Sequence, residues 1–461
     1  MKTWGLEVLN RLRGARQIQA HDAQYPRVRE GAERRQLVIG VDFGTAYTKV
    51  VIADNRRARA IPFRDASYGG NPYLLPSVVS IDANGVASLG KAADGTSVSD
   101  IKLRILDGDT SDQVINAAVS FLALVVRAAR HQFMVAHRDE YRHCHLEWQV
   151  NVGLPAEHCR NNELTGFYQR LACAAWNAGV MPGPISIAAV KDCYLRDTGS
   201  LRNDAIAVIP EFAAQICGYV RSPMRQYGPH LLIDVGGGTL DVAVFNVYRD
   251  AEDDDLFPVF ACSVTSRGVL PLHRYRLGKL PNEKSDSGQR RYAEKSTYAA
   301  GASYFSVSED ELKRVDKSFK DLVYGQILDV LERGRRDKYP RLYHQSIRVF
   351  LCGGGAHVEL YSALVDALIR DAHPCHLELV HLPRPDRFEA KGLGDGAYDR
   401  LSVAFGLSFD PYDIGTVRLP DEIDDGEAPA NIESRPCPAC DGTGGSRGND
   451  CNRCGGSGWS R

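Results

Sequence analysis

Two short glycine-rich turns, far apart in the chain, each join two apolar stretches and carry aspartates at their edges. The first reads VIGVDFGTAYTKVVI over residues 38–52, and the second reads LLIDVGGGTLDVAVF over residues 231–245. Each pattern predicts a β-hairpin whose turn presents backbone N–H groups and hydroxyls to an anion. Aspartates beside such a turn can hold a hydrated Mg²⁺. Two hairpins of this kind facing each other would clamp a nucleoside triphosphate.

A third glycine turn follows a later apolar strand. The segment VFLCGGGAH, residues 349–357, predicts a strand that enters three glycines and then a helix. Glycines at such a junction let the backbone approach a purine or a ribose closely. No G-x-x-x-x-G-K-[ST] sequence occurs in the chain, so none of the three turns is a P-loop.

In this order and spacing, the three turns resemble the phosphate-1, phosphate-2 and adenosine motifs of the actin-like ATPase superfamily. The similarity is greatest to the ATPase domain of DnaK-type heat-shock chaperones. Four more segments support it: LPSVVS (75–80) and DIKLRILDG (100–108) are similar to family segments, and PEFAA (210–214) and VAFG (403–406) resemble its two connecting helices. The resemblance covers residues 37–409. It implies an α/β, two-lobed actin-like ATPase fold of duplicated ribonuclease H-like domains, followed by a small zinc-binding tail.

The resemblance also implies a ligand set of ATP or ADP with Mg²⁺. Asp42, Asp234 and Asp241 would hold Mg²⁺ through its water molecules. The glycines and one threonine of the three turns would bind the nucleotide itself: Gly44, Thr45, Gly236, Gly237, Gly238, Gly353, Gly354 and Gly355. We therefore expect an ATP site built from all three turns.

The reaction that the resemblance implies is phosphoryl transfer to water, in which the enzyme aligns a water molecule with the γ-phosphate and neutralises charge. Lys102 falls on the family's catalytic lysine, although Leu103 stands where the family has arginine. Glu211 falls on the family's water-positioning glutamate, with Pro210 before it instead of after it. Thr239 would lie nearest the γ-phosphate. The expected catalytic residues are Lys102, Asp234, Glu211 and Thr239.

The C-terminal tail carries a different kind of site. CPACDGTG (437–444) and CNRCGGSG (451–458) both read C-x-x-C-x-G-x-G. Two such knuckles suit one tetrahedral Zn²⁺, and metal binding would have to drive the folding of so short a module. The repeat resembles the zinc-binding region of DnaJ-type co-chaperones, which has four repeats and two zinc ions. The expected ligands are Cys437, Cys440, Cys451 and Cys454, and a disulfide or redox role is the alternative.

Four segments follow from this organisation: a basic N-terminal extension (1–36), the ATPase domain (37–409), an acidic linker (410–436) and the zinc module (437–459). The extension has Trp4, Val8 and Leu12 at helical spacing. An amphipathic helix there would either pack on the body or dock on a partner or an anionic membrane surface.

Alternating strands and helices are expected within the ATPase domain. The predicted helices are 111–133, 163–178, 309–335 and 359–372. The predicted strands beyond the two hairpins are 149–153, 205–209, 257–264 and 347–352. The polar, basic stretch 274–295 predicts a solvated surface insertion.

Composition limits the possible partners and compartment. The net charge of −2 argues against nucleic-acid binding by bulk electrostatics. We expect neither a signal peptide nor a membrane span. Eight of the twelve cysteines are scattered singly, which is typical of reduced thiols in the cytoplasm.

Three functions remain open from the sequence. Only 52 residues follow Phe409 in the 461-residue chain, which leaves no room for a DnaK-type peptide-binding domain. The leading hypothesis is a DnaK-like ATP-driven switch whose zinc module binds a partner or client protein. The alternatives are a filament-forming actin-like ATPase of the plasmid-segregation or cell-shape type, and a small-molecule kinase of the same superfamily. The sequence does not predict an oligomeric state.

Overall fold

The computed structural model describes most of the chain in nine ranges and four short tail strands. The ranges are residues 22–26, 28–63, 71–92, 94–196, 205–249, 254–280, 296–371, 375–394 and 396–423. The predicted N-terminal helix and the four zinc-ligand candidates lie outside the described residues. The fold is mixed α/β, as expected.

The strands are β1 (Arg34–Phe43), β2 (Tyr47–Ala53), β3 (Ala58–Ala60), β4 (Leu75–Pro76), β5 (Val79–Asp82), β6 (Ala87–Leu89), β7 (Gly95–Val98), β8 (His145–Leu154), β9 (Ile206–Pro210), β10 (Gly228–Val235), β11 (Leu240–Arg249), β12 (Asp255–Thr265), β13 (Ser346–Cys352), β14 (His376–Leu379), β15 (Phe388–Glu389), β16 (Thr416–Arg418), β17 (Arg435–Pro436), β18 (Gly445–Ser446), β19 (Asn449–Asp450) and β20 (Trp459–Ser460). The helices are α1 (Ile101–Leu106), α2 (Asp112–Ala136), α3 (Arg138–Tyr141), α4 (Asn162–Val180), α5 (Ile187–Leu195), α6 (Glu211–Val220), α7 (Val269–Leu277), α8 (Tyr298–Phe305), α9 (Glu309–Arg333), α10 (Glu359–Asp371), α11 (Ser402–Gly406) and α12 (Pro411–Ile414). Short 3₁₀ turns cover Ala156–Arg160, Leu342–His344, Gly354–His357, Tyr398–Arg400 and Pro420–Glu422, and a π-helical turn covers Gly334–Lys338.

The two large sheets share one strand plan. In the first, antiparallel β3-β2-β1 continues into β8 and β9, which run parallel to β1. In the second, antiparallel β12-β11-β10 continues into the parallel strands β13 and β14. Parallel neighbours need long crossover connections, and helices supply them in both halves. The chain therefore repeats one arrangement of three antiparallel and two parallel strands.

The hydrophobic core lies between the sheets and their helices. Residues 37–43 of β1 are all buried, which is why this strand reads as a nearly continuous apolar run. One core cluster surrounds the first sheet with α2 and α4, and another surrounds the second sheet with α9 and α10. A third cluster contains Val51 of the first sheet, Phe245 of the second, and Ala213 of α6. This cluster joins the two halves.

Two helices cross in backbone contact where the halves meet. A Cβ added to Gly406 of α11 would lie 1.8 Å from the carbonyl oxygen of Ala214 in α6. A Cβ added to Gly40 of β1 would lie 2.3 Å from the carbonyl oxygen of Ala404. Glycine is therefore needed at both positions for so close an approach. The crossing brings together the segments 210–214 and 403–406.

Side-chain caps explain where the longer helices begin. The backbone N–H of Glu311 donates to Ser308 Oγ at 3.2 Å, and that of Leu164 donates to Asn161 Oδ1 at 3.0 Å. Each bond satisfies one of the N–H groups that a helix leaves unpaired at its start. The four predicted helices and four further predicted strands are all present, with their ends shifted by up to four residues.

Two predicted segments differ from the structure. The stretch 274–295 was expected to be a solvated insertion, but its described part continues α7, where Arg276 is buried against Asp316. The acidic linker was expected from Asp410. Instead residues 410–423 pack on the rest of the molecule: α12 caps on Asp410, β16 pairs with β12, and Ile414 and Ile423 are buried. A polar segment that forms buried ion pairs or edge strands cannot be told from a surface loop by composition.

One helix of the described residues meets the length and hydropathy criteria for a membrane span. By length and composition alone, α2 is long and apolar enough to cross a membrane. In the structure, 72% of its most apolar window is buried inside the molecule, as in the core helix of a soluble protein.

The eight scattered cysteines are free thiols, and five of them are buried: Cys144, Cys193, Cys217, Cys262 and Cys352.

Candidate functional site

Each acidic glycine turn closes a hairpin, as predicted. In the first, between β1 and β2, the N–H of Gly44 donates to the carbonyl oxygen of Asp42 at 3.1 Å. In the second, between β10 and β11, the N–H of Gly236 donates to the carbonyl oxygen of Thr239 at 2.9 Å. Both hairpins are antiparallel, and each lies at the centre of its sheet.

The turn of the first hairpin contacts the turn of the second directly. A Cβ added to Gly237 would lie 2.5 Å from Cβ of Ala46. A Cβ added to Gly238 would lie 3.0 Å from Oγ1 of Thr45. The absence of side chains at these two positions is therefore what lets the turns meet. The sequence expected two facing turns, and the structure places them face to face.

The second turn is oriented by the start of α7. The carbonyl oxygens of residues 236, 237 and 238 accept hydrogen bonds from the N–H groups of residues 269, 270 and 268, at 3.1, 2.8 and 3.2 Å. The N–H groups of Gly237 and Gly238 make no hydrogen bond within the described part of the chain. Turn N–H groups without an internal partner are suitable donors to an anion.

Three aspartates lie beside the turns. Asp42 is buried and accepts a hydrogen bond from Lys49 Nζ at 2.7 Å. Asp234 and Asp241 are direct cross-strand partners on β10 and β11. Thr239 Oγ1 is 3.5 Å from Asp241 Oδ2. The Oδ1 atoms of Asp234 and Asp241 are buried and have no hydrogen-bond partner among the described residues.

Burial and neighbouring charges raise the pKa of two of these carboxyl groups. Burial, with the nearby charge of Glu211, raises the pKa of Asp234 to about 7. Burial and the charge of Asp234 raise the pKa of Asp241 well above its ordinary value. A cation beside them would remove this penalty, because opposite charge favours the ionised carboxylate.

A buried ion pair forms one wall of the site. Lys102 Nζ of α1 is 2.5 Å from Glu211 Oε1 at the start of α6. Burial alone would lower the pKa of Lys102, but the charges of Glu211 and Asp42 outweigh it and the pKa is raised. Burial raises the pKa of Glu211. A Cβ added to Gly153 would lie 2.6 Å from Glu211 Cγ, so this glycine makes room for the pair.

The third glycine turn packs against the second hairpin. Gly353 has a φ of +81°, and a Cβ there would lie 2.0 Å from Oδ1 of Asp234. A Cβ added to Gly355 would lie 2.3 Å from Cγ1 of Val235. Any side chain at these positions would therefore displace Asp234 or the strand that carries it. The predicted strand, three-glycine turn and helix are all present.

All three turns line one open cavity, whose empty space is about 1170 Å³ including the solvent at its mouth. Every site residue predicted from the sequence lines it except Gly238, which contacts Thr45, and the four cysteines, which lie outside the described residues. Further lining residues that the sequence analysis missed are Tyr47, Lys49, Gln215, His357, Asp399 and Arg400.

A signal for one missed residue was present in the sequence. Lys49 is the cross-strand partner of Asp42 in the first hairpin, so its position follows from the turn length. Gln215 lies one helical turn beyond Glu211 and is buried, with both amide atoms lacking hydrogen-bond partners among the described residues. Arg400 is brought to the cavity by a 3₁₀ turn that no local pattern indicated.

The carboxylate oxygens of the cavity could hold a hydrated Mg²⁺ through its water molecules. Within the described ranges, no group of three or more His, Cys, Asp or Glu side chains could hold a metal ion. Contact through water molecules does not require such a group, because Mg²⁺ usually keeps several waters. The carboxylates of Asp234 and Asp241, each with an Oδ1 that lacks a partner among the described residues, would accept hydrogen bonds from those waters.

Comparison with known proteins adds no assignment. No family model matches the chain, and no curated protein is significantly similar to it. The function therefore has to be argued from the cavity and its residues.

Proposed function

We propose that this chain is an ATP-binding and ATP-hydrolysing switch protein with a DnaK-like, two-lobed ATPase fold of the actin-like kind. The observation that carries the proposal is the contact between two acidic glycine turns across one cavity, at Gly237 and Ala46. The repeated strand plan of the two sheets supports the duplicated fold. The proposed location is the cytoplasm.

The residues of the cavity fit the parts that phosphoryl transfer needs. The N–H groups of Gly237 and Gly238 would donate to phosphate oxygens. Mg²⁺, held through water by Asp42, Asp234 and Asp241, would neutralise charge on the phosphates. These roles explain why carboxylates and bare N–H groups lie side by side.

The ion pair would act on the attacking water. The raised pKa of Lys102 keeps its ammonium charged at every physiological pH. This charge would attract the water and the γ-phosphate to the same place. Glu211 holds the ammonium at 2.5 Å and so fixes its position. Catalysis would come from positioning and charge rather than from a covalent intermediate.

The switch would operate at the helix crossing. The carbonyl of Ala214 in α6 and the backbone of Gly406 in α11 are in direct contact, and both helices begin at or near the cavity. A nucleotide held by turns from both halves would change how these halves sit at that crossing. The zinc module would then carry the change to a protein partner or client.

The test of this function is Mg²⁺-dependent ATP hydrolysis by the purified full chain. We expect phosphate release with ATP and Mg²⁺ and none with EDTA. Mg²⁺–ADP at 100 times its Kd should also stabilise the fold by about 2.7 kcal/mol, because it binds only the folded state. If the protein shows neither phosphate release nor stabilisation by Mg²⁺–ADP, the proposal is wrong. Sedimentation after ATP addition separates a switch, which stays in solution, from a filament-forming ATPase, which pellets.

A metal assay tests the proposed zinc module independently. The purified protein should contain about one zinc per chain, because four thiolates complete one tetrahedral site. Replacing Cys437 and Cys440 with serine should remove the zinc and leave ATP hydrolysis intact. Replacing Cys173 and Cys375, two scattered and partly buried thiols, with serine is the matched control and should leave the zinc in place. Native protein without zinc would contradict this assignment.

A further inference from the structure

The guanidinium of Arg400 has no carboxylate partner among the described residues. Arg400 lies in the 3₁₀ turn before α11 and lines the cavity. Its Nη2 donates one long hydrogen bond, of 3.5 Å, to the carbonyl oxygen of Gly354. No carboxylate of the described residues is within ion-pairing distance of it, although Asp399 is its neighbour in sequence. A partly buried guanidinium with one weak bond still has donors available.

Three arginines buried elsewhere in the described chain have stronger or more numerous partners. Arg276 makes a bidentate ion pair with Asp316. Arg59 is paired with Glu140 at 2.9 Å. Arg127 donates to four backbone carbonyl groups. Burying a guanidinium costs free energy unless it is paired, so a ligand that paired with Arg400 would be stabilised by its free N–H donors. The lowered pKa of Arg400, caused by burial, agrees with this.

The guanidinium of Arg400 lies over the third glycine turn and near the first. Its guanidinium lies 3.8 to 4.0 Å from where a Cβ of Gly354 would be, so it covers the third glycine turn. Tyr47, directly after the first turn, is close enough to Arg400 to raise the pKa of its guanidinium. Arg400 is therefore placed between the first and third turns, whereas the unpartnered carboxylate oxygens of Asp234 and Asp241 lie on the second hairpin. The guanidinium of Arg400 is therefore an anion-binding group on a different element from the carboxylates and the turn N–H groups of the second hairpin.

A phosphate chain with a bound cation complements both the carboxylates and the guanidinium. Its metal would lie at the carboxylates, and its anionic oxygens could receive a forked pair of N–H donors from a guanidinium. Resting on the proposed nucleotide site, we propose that Arg400 is a specificity-determining residue that binds a phosphate of the nucleotide and thereby distinguishes nucleotides from nucleosides. An uncharged base or ribose would gain less from this guanidinium than a phosphate.

The test compares three ligands that differ only in phosphate number. Adenosine, AMP and ADP are titrated with excess Mg²⁺ into wild-type protein, Arg400→Met and Arg400→Lys, by calorimetry or, for weak binding, by ligand-observed NMR. Arg400→Met should weaken the binding of ADP by about 10- to 100-fold, the usual effect of losing a hydrogen bond to a charged group. Adenosine binding should change by less than about threefold on the same scale. Arg400→Lys should recover part of the loss, because it keeps the charge without the fork.

Two controls keep the result interpretable. Arg314→Met removes an exposed arginine of α9 and should leave all three affinities unchanged. Thermal unfolding of each variant shows whether it is folded. If Arg400→Met weakens adenosine as much as ADP, the guanidinium contacts the nucleoside and the inference is wrong. If ADP binding is unchanged, Arg400 binds no phosphate and the inference is wrong while the nucleotide site stands. If wild-type protein binds none of the three, both proposals fail.

Discussion

Replacing Asp234 with asparagine should abolish ATP turnover while leaving the fold intact. The side chain lies at the end of β10, directly opposite Asp241, and its Oδ1 faces the third glycine turn at Gly353. It therefore contacts two of the three turns that form the cavity. Asparagine keeps the shape of this side chain but removes its charge and replaces one acceptor oxygen with a donor.

The expected loss is large because the charge acts where water is excluded. Removing a single preorganised electrostatic contact from an active site commonly costs about 100- to 1000-fold in turnover. Asp234 is one of only two cavity carboxylates with a buried oxygen that lacks a partner among the described residues. We therefore expect a loss of at least about 100-fold for Asp234→Asn, within that general range.

Phosphate release under excess ATP and Mg²⁺ measures this effect. Asp192→Asn is the matched control, because Asp192 is a half-buried residue of α5, outside the cavity, whose ion-pair partner is Arg196 one turn away. It should turn over ATP at the wild-type rate. Full activity in folded Asp234→Asn would remove Asp234 from the site, and with it the assignment of the second hairpin.

The parts of the site that the sequence predicted are those encoded locally. An apolar strand, an aspartate and a glycine turn occupy consecutive residues, so both hairpins and the turn at Gly353 could be identified directly. The family resemblance supplied Lys102 and Glu211 as candidates. Their mutual ion pair joins residues 109 positions apart in sequence and could not be read from either segment.

The parts that were missed depend on tertiary contacts. The region around Arg276 looked solvated because it is polar, but Asp316 on α9 neutralises it in the interior. The residues after Asp410 looked like a linker because they are acidic. There Ile414 and Ile423 are buried, and their short apolar signal was hidden among charges. Arg400 reaches the cavity only because α11 packs between both halves.

The same Asp234→Asn variant should be more stable than wild-type protein at alkaline pH when no Mg²⁺ is present. The pKa of Asp234 is about 7 in the folded chain and 3.8 in the reference state. Below about pH 4 the carboxyl is protonated in both states and has no net effect. Between pH 4 and 7 the unfolded chain releases the proton while the folded chain keeps it, so wild-type stability falls as pH rises. Above pH 7 the whole cost is present.

The size of the effect follows from the same shift. A raised pKa of about 7 corresponds to a cost of about 4 kcal/mol at pH 8, and to less than half of that at pH 5. Asparagine does not ionise, so the variant lacks this cost. The free energy of unfolding of Asp234→Asn minus that of wild-type protein should therefore increase by about 3 kcal/mol between pH 5 and pH 8. Urea unfolding in EDTA at both pH values measures it, with Asp192→Asn expected to show no such change.

Mg²⁺ with ADP should reduce this stability difference between Asp234→Asn and wild-type protein. A cation at the carboxylates lowers their pKa and turns the buried charge of Asp234 from a cost into a binding contact, so the ligand should stabilise wild-type protein more than Asp234→Asn. A stability difference that is the same at pH 5 and pH 8 would show that Asp234 is ionised or solvated in the folded chain. A variant that is inactive, more stable without ligand and less stabilised by Mg²⁺–ADP would show that Asp234 trades stability for cation binding, as expected of a carboxylate that serves the reaction rather than the fold.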